Sequence, residues 1–244
     1  LLLIDIGSTY TKVVAVDVEE CRILGTAKSF TTVGTDVSDG LSKALKELEK
    51  VTGVKEYSAK YSCSSAAGGL KMVSVGLVPE LTAKAAKMAA LSAGAKVIKT
   101  YSYELNAREA EEIYASKPDI ILLSGGTDGG NKEVILHNAR VISQIDGDFP
   151  VVVAGNKSAA DDVRQILEKG GKTAWVCENV MPEFNVLNIE PARELIRQIF
   201  LQRIVIAKGL TKVQELLQEI IMPTPSAVLK AASLLSRGLP SEEG

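Results

Sequence analysis

Asp5-Ile-Gly-Ser-Thr-Tyr-Thr-Lys12 lies between two apolar runs, Leu1–Ile4 and Val13–Val18. Strands of that composition around a Gly-Ser-Thr tip read as a tight β-hairpin. The tip offers small hydroxyl side chains and approachable main-chain N–H groups, which an anionic oxygen requires. Asp5 closes an apolar strand, where an unpaired carboxylate is costly. A hydrated Mg²⁺ beside a phosphate would account for it, with Lys12 as the compensating cation. An ordinary hairpin whose Asp bonds its own turn would read the same way. A P-loop is excluded, because G-x-x-x-x-G-K-[ST] is missing and the tip leads into a strand rather than a helix.

A carboxylate ending strand one, a Gly-Ser/Thr turn and a Lys opening strand two resemble the first phosphate motif of the actin/Hsp70/sugar-kinase superfamily. The following section has the matching order. Arg22–Phe30 reads as a third strand. Asp36 or Ser38 can cap a helix carrying Val37, Leu41, Leu45 and Leu48 at helical spacing, which Gly53 ends. Lys60–Cys63 and Leu70–Val75 read as further strands around Ser64-Ser-Ala-Ala-Gly-Gly69. Three strands, a helix and a strand is the order of an RNase H-like lobe, the building block of that superfamily.

The 244 residues can bury a large core. With 28 basic and 30 acidic residues, and 5% aromatics, nothing favours a nucleic acid or an anionic membrane as partner. Cys21, Cys63 and Cys177 are scattered, without metal-ligand spacing. They suit reduced thiols and a cytoplasmic location. No apolar run approaches the ~20 residues of a membrane span.

From Val78 the pattern becomes α/β alternation. Strands are expected at Lys96–Thr100, Asp119–Leu123, Pro150–Ala154 and Lys172–Cys177. Helices are expected near Pro79–Ala93, Asn106–Ala115, Asn131–Ser143 and Ser158–Glu168. Such alternation implies a parallel sheet covered by helices. Pro191 opens a helix towards Ala207, which breaks at Gly209 and resumes through Val213, Leu216, Leu217 and Ile220 until Met222-Pro223 stops it. Thr224 and Pro225 suit N-cap and N1 of a last helix ending near Gly238, before a polar tail from Pro240. The expected organisation is therefore a lobe over 1–77, an inserted α/β subdomain over 78–190, and helices over 191–244.

Leu122-Leu-Ser-Gly-Gly-Thr-Asp-Gly-Gly-Asn131 follows a buried strand and precedes a helix. Open α/β sheets bind ligands at that edge. A simple turn does not need so many glycines, so Gly125, Gly126, Thr127 and Asp128 are candidate ligand contacts. Thr127 and Asp128 would reach a hydroxylated or phosphorylated ligand. Asn156, in the loop after the next strand, is a further candidate, although a plain turn explains Gly155-Asn156 as well. G-x-G-x-x-G is not followed, so a dinucleotide site is weakly supported. The single histidine, His137, rules out a Ser-His-Asp triad and reads as a hydrogen-bonded or exposed helix residue.

Asp5–Lys12, Cys63–Met72, Gly76–Thr82, Leu123–Asn131 and Met222-Pro-Thr-Pro225 together are similar to the GlmL/MutL family. These are actin-like proteins associated with adenosylcobalamin-dependent glutamate mutase, unrelated to the mismatch-repair protein of the same name. The resemblance implies the RNase H-like first lobe of an actin-like ATPase with an inserted parallel α/β subdomain. It implies ATP and Mg as cofactors, B12-dependent mutase subunits as partners, and a chaperone or reactivase role. Gly7, Ser8, Thr9 and Lys12 would contact phosphate, and Asp5 would hold Mg²⁺ through water. A small-molecule kinase of the same superfamily or a non-catalytic binding scaffold are the alternatives. The superfamily's second Asp-Gly hairpin is not found before Gly244. The expectation is the first half of a longer protein, with negligible hydrolysis by this piece alone.

Overall fold

The computed structural model describes residues 1–31, 37–65, 70–91, 93–207 and 220–238. The chain divides into two compact units, Leu1–Gly69 with Ile199–Gly244, and Leu70–Gln198. Both are α/β.

The first unit is built on β1 (Leu2–Ile6), β2 (Tyr10–Asp17), β3 (Arg22–Phe30), α1 (Val37–Thr52) and β4 (Lys60–Ser64). Its sheet has the order β10-β4-β1-β2-β3, where β10 is Ile220–Pro223. β2 runs antiparallel to β1 and β3, while β4 runs parallel to both β1 and β10. Alternation explains the burial. Leu2, Ile4 and Ile6 are buried with Val13 and Ala15 of β2, and Leu41, Ala44 and Leu48 of α1 are buried at helical spacing.

The second unit contains β5 (Leu70–Gly76), α2 (Pro79–Ala90), β6 (Ala95–Ser102), α3 (Ala107–Ser116), β7 (Ile120–Leu123), α4 (Glu133–Gln144), β8 (Val151–Val153), α5 (Ala160–Lys169) and β9 (Ala174–Val176). α6 (Glu190–Ala207) begins in it. All strand pairs are parallel, in the order β6-β5-β7-β8-β9. Counted from β5 this is the doubly wound order 2-1-3-4-5. Ile120, Ile121, Leu122 and Leu123 are all fully buried, as a strand covered on both faces must be. Each such side chain contributes about 1.5–3 kcal/mol.

Two expectations are corrected. Leu70–Gly76 does not belong with residues 1–77. It pairs parallel with strands on both sides and has Met72, Val73, Ser74 and Val75 fully buried, the environment of a central strand of the second sheet. The fifth strand of the first sheet is instead Ile220–Pro223, a stretch read from sequence as the end of a helix. Met222 pairs with Cys63 there, and Pro223 occupies the last position of an edge strand, where its missing N–H costs no ladder bond. The final helix, α7, spans Thr224–Arg237 and carries Pro225 in its first turn, one residue earlier than the capping signal suggested. The Asp36 cap, the Ala66–Gly69 turn, the break at Gly209 with the helix through Leu217, and the tail from Pro240 lie outside the described residues.

Candidate functional sites

The hairpin forms as its sequence demands. Gly7 N–H donates to the Tyr10 carbonyl at 3.0 Å, closing the tip, and a Cβ on Gly7 would come within 2.8 Å of that same oxygen. Ser8 and Thr9 are exposed, and their main-chain N–H groups donate to no group among the described residues. Behind the tip, Asp5 stands opposite Lys12 in the antiparallel pair and opposite Cys63 in the parallel one. Direct partners share a sheet face, so three strands present Lys12, Asp5 and Cys63 in one row.

The Asp5 carboxylate is held from three sides. Thr224 Oγ1 donates to Oδ1 at 2.9 Å, Cys63 Sγ donates to the same oxygen at 3.5 Å, and Lys12 Nζ lies 3.9 Å from Oδ2. The Asp5 side chain keeps 30% of its surface exposed and that of Lys12 61%, so the ion pair is screened and worth about 0–1 kcal/mol. Burial pushes the Cys63 thiol above its ordinary value; the neighbouring Thr224 opposes the shift and the Asp5 charge adds to it. The thiol is therefore a hydrogen-bond donor, not a nucleophile. No group of three or more His, Cys, Asp or Glu side chains suited to a metal occurs among the described residues. One accessible carboxylate beside unpaired N–H groups suits Mg²⁺ held through water and shared with a phosphate, not a cage of protein ligands.

Thr224 and Cys63 were missed as site residues. Thr224 comes to Asp5 from 219 positions away, because β10 adds to β4 and delivers the start of α7 beside the row. Cys63 had no local signal either, since Lys60-Tyr-Ser62 before it lacks the apolar run that precedes Asp5, and only the pairing of β1 with β4 sets it beside Asp5.

The glycine loop of the second unit is organised differently. Gly125 and Gly126 have φ of +139° and +72°, and a Cβ on Gly126 would meet the Asn131 carbonyl oxygen at 2.2 Å. Asn156 is fully buried and its amide is saturated. Its Oδ1 accepts from Gly129 N–H and Ser158 N–H, and its Nδ2 donates to the Gly130 and Asn131 carbonyls. Asp128 Oδ1 accepts from Lys157 N–H and from Asn179 Nδ2, which also donates to the Gly126 carbonyl. Asn156 and Asp128, expected as ligand contacts, are thus engaged in holding the loop. The strand order sets the loops after β7, β8 and β9 side by side. Their polar groups meet one another.

Gly125, Gly126 and Thr127 instead line a pocket of about 150 Å³, together with Leu77, Leu81 and Thr82 from the loop after β5 and α2. It lies where β5 and β7 are neighbours and their connections leave in opposite directions along the sheet, the switch point of a doubly wound fold. His137 takes no part in either site; its Nε2 is 2.9 Å from the Leu105 carbonyl oxygen.

Fold and sites define an α/β protein of two units, one with an acidic hairpin on a mixed sheet and one with a glycine loop on a parallel sheet. A family model described as MutL protein matches residues 1–244, and the chain belongs to that family, the GlmL/MutL proteins and not the mismatch-repair proteins sharing the name. Protein MutL of Clostridium tetanomorphum is 54% identical over 245 residues, covering all of this chain and 53% of the relative. The chain thus spans about half the length of the curated relative it matches. Among solved structures, a short-chain flavodoxin of a bacterial microcompartment is 14% identical with a TM-score of 0.34, covering 54% of this chain and 96% of its own. The Vibrio vulnificus NanR protein complexed with ManNAc-6P is 14% identical with a TM-score of 0.31, covering 70% and 58%. Both are too remote to bear on fold or function.

Proposed function

We propose that the first unit is the phosphate-binding lobe of an actin-like, ATP-dependent accessory protein that serves a B12-dependent mutase such as glutamate mutase. The observation that carries this is the row Lys12–Asp5–Cys63, closed by Thr224, behind a tip whose N–H groups at Ser8 and Thr9 have no partner among the described residues. The sheet supports it. With β10 as its fifth strand, the order 3-2-1-4-5 with only the second strand reversed is that of an RNase H-like lobe. The family name supports the mutase association.

In this reading Gly7, Ser8 and Thr9 cradle a phosphate, Lys12 balances its charge, and Asp5 orients a water of a bound Mg²⁺. The metal supplies charge neutralisation of the phosphates. The Thr224 hydroxyl and the protonated Cys63 thiol fix the carboxylate's orientation. Because Thr224 opens α7, a shift of Asp5 towards a hydrated metal would alter how that helix starts, one way for nucleotide occupancy to be transmitted.

The reading is tested by titrating Mg·ATP into the ¹⁵N-labelled chain. Saturable shifts of the Ser8 and Thr9 amides are expected at millimolar nucleotide, weakened at least about tenfold in Asp5→Asn and Lys12→Ala. Binding that survives both changes, or no response at the hairpin, overturns it.

A further inference from the structure

The pocket of the second unit is not a polar crevice. Leu77, Val78, Leu81 and Ala85 give it an aliphatic wall, Met181 and Phe184 complete it, and none of its lining side chains is charged. Phe184 lines the pocket with 75% of its surface exposed, so its ring is free to lie against a bound apolar group.

Polar groups without partners line the same space. The N–H groups of Gly125, Gly126 and Thr127 donate to nothing among the described residues, although they are three in succession on a loop with two positive-φ glycines. Such successive N–H groups form anion-binding concavities. Thr82 is only 5% exposed, lines the pocket, and its hydroxyl has no hydrogen-bond partner among the described residues. Gly76 makes room for it: a Cβ there would lie 2.4 Å from Thr82 Oγ1 and 2.9 Å from Ser124 Oγ. These donors open onto the pocket with no partner from the described residues, so they favour an acceptor from outside.

The charges nearby decide which acceptor. Asp128 lies in the loop and Glu133 in the first turn of α4, no lining side chain is cationic, and Lys157 is paired with Asp128 at 4.0 Å. A doubly charged phosphate would find no cation among the lining side chains to balance it. A single negative charge is within the capacity of three N–H groups, and the apolar wall asks for a hydrocarbon body.

We propose that this pocket is a second ligand site, separate from the hairpin, for a small monocarboxylic acid. Its carboxylate rests on the N–H groups of Gly125–Thr127 and the Thr82 hydroxyl, and its apolar body lies against Leu77, Leu81 and Phe184. The proposal is independent of nucleotide binding by the first unit.

Phenylacetate titrated into the ¹⁵N-labelled chain tests it, with phenylacetamide as the uncharged isostere and inorganic phosphate as the bodiless anion. Phenylacetate is expected to move the Gly125, Gly126 and Thr127 amide resonances saturably at millimolar concentration, with phenylacetamide and phosphate each at least about tenfold weaker. Leu81→Trp, which fills the pocket from α2, should abolish the response while the Ser8 and Thr9 resonances stay in place. Thr82→Val should weaken it without changing the fold. No response to phenylacetate, equal responses to phenylacetamide or phosphate, or a response that persists in Leu81→Trp would overturn the proposal.

Discussion

The chain holds two glycine-bearing loops at strand ends, and they use their polar groups in opposite ways. The hairpin tip Gly7–Thr9 closes on one short main-chain bond and leaves Ser8 and Thr9 exposed. The loop 124–131 is knitted by Asn156, Asn179 and Asp128, whose side chains make eight hydrogen bonds within it and to its neighbours, counting Asn156 to four groups, Asn179 to three and Lys157 N–H to Asp128. A two-residue turn between paired strands is shaped by its ladder. A long loop between a strand and a helix has no ladder, so side chains from the neighbouring loops must supply its hydrogen bonds. Glycine content alone therefore does not mark ligand contacts. The candidates are the donors that the loop does not use.

The sharpest way to break this comparison is to remove the staple. Asn156→Ala leaves Gly129 N–H, Ser158 N–H and two carbonyls without partners, and is expected to cost at least about 3 kcal/mol in the second unit. Hydrogen exchange of the β7 amides measures it. A change within about 0.5 kcal/mol, the range of an ordinary surface substitution, would show that the loop holds its shape without Asn156.

Glycine substitutions give the next largest contrast. Gly126→Ala places a Cβ at positive φ against a main-chain oxygen and should cost roughly 2–4 kcal/mol. Gly7→Ala also meets a main-chain oxygen, Tyr10 at 2.8 Å, but at ordinary φ, and should cost less, roughly 1–2 kcal/mol. Thermal unfolding of both variants should rank them in that order; the reverse would mean the hairpin is the more constrained loop.

The sequence was legible where signals are local. Alternation placed β1 to β4, the buried run Ile120–Leu123 identified a central parallel strand, and the cap and proline signals placed α3 and α7 to within a residue or so. It misled at Leu70–Gly76 and Ile220–Pro223 because both are short apolar strands whose sheet is decided by distant partners. Nothing in Met222-Pro-Thr-Pro225 announces that Cys63 lies beside it. The Asp5–Lys12 pair was readable because a hairpin sets register locally, whereas Thr224 and the Leu77–Thr82 wall required the topology. Asn156 was left between two readings for a related reason: a side chain that staples a loop and one that binds a ligand carry the same polar signature.

Thiol chemistry provides a smaller, pH-resolved contrast. Burial pushes the Cys177 thiol, at the end of the second sheet, up to about 12, with Glu178 adding to it, and raises Cys63 as well, while Cys21 is exposed. A thiol whose folded value is raised keeps its full stabilising difference below the unfolded value near 9.0 and loses it as pH climbs towards about 12. At pH 8 a maleimide should label Cys21 first, with Cys63 and Cys177 at least about tenfold slower. Equal rates would mean that the strand ends carrying both sites open far more readily than their packing implies.

The smallest expected effect is on stability at Asp5 itself. Asp5→Asn keeps an acceptor for Thr224 Oγ1 and removes only a 3.9 Å, solvent-screened pairing with Lys12, so unfolding should shift by less than about 1 kcal/mol. A carboxylate that adds so little to the fold is available for a ligand, and this separates Asp5 from Asp128, whose loss should uncover Lys157 N–H and an Asn179 donor. Paired urea titrations of Asp5→Ala and Asp128→Ala measure the difference, since an Asn at position 128 would keep the Oδ1 acceptor. If the two cost the same, Asp5 is as structural as Asp128, and the contrast between an open hairpin and a stapled loop does not hold.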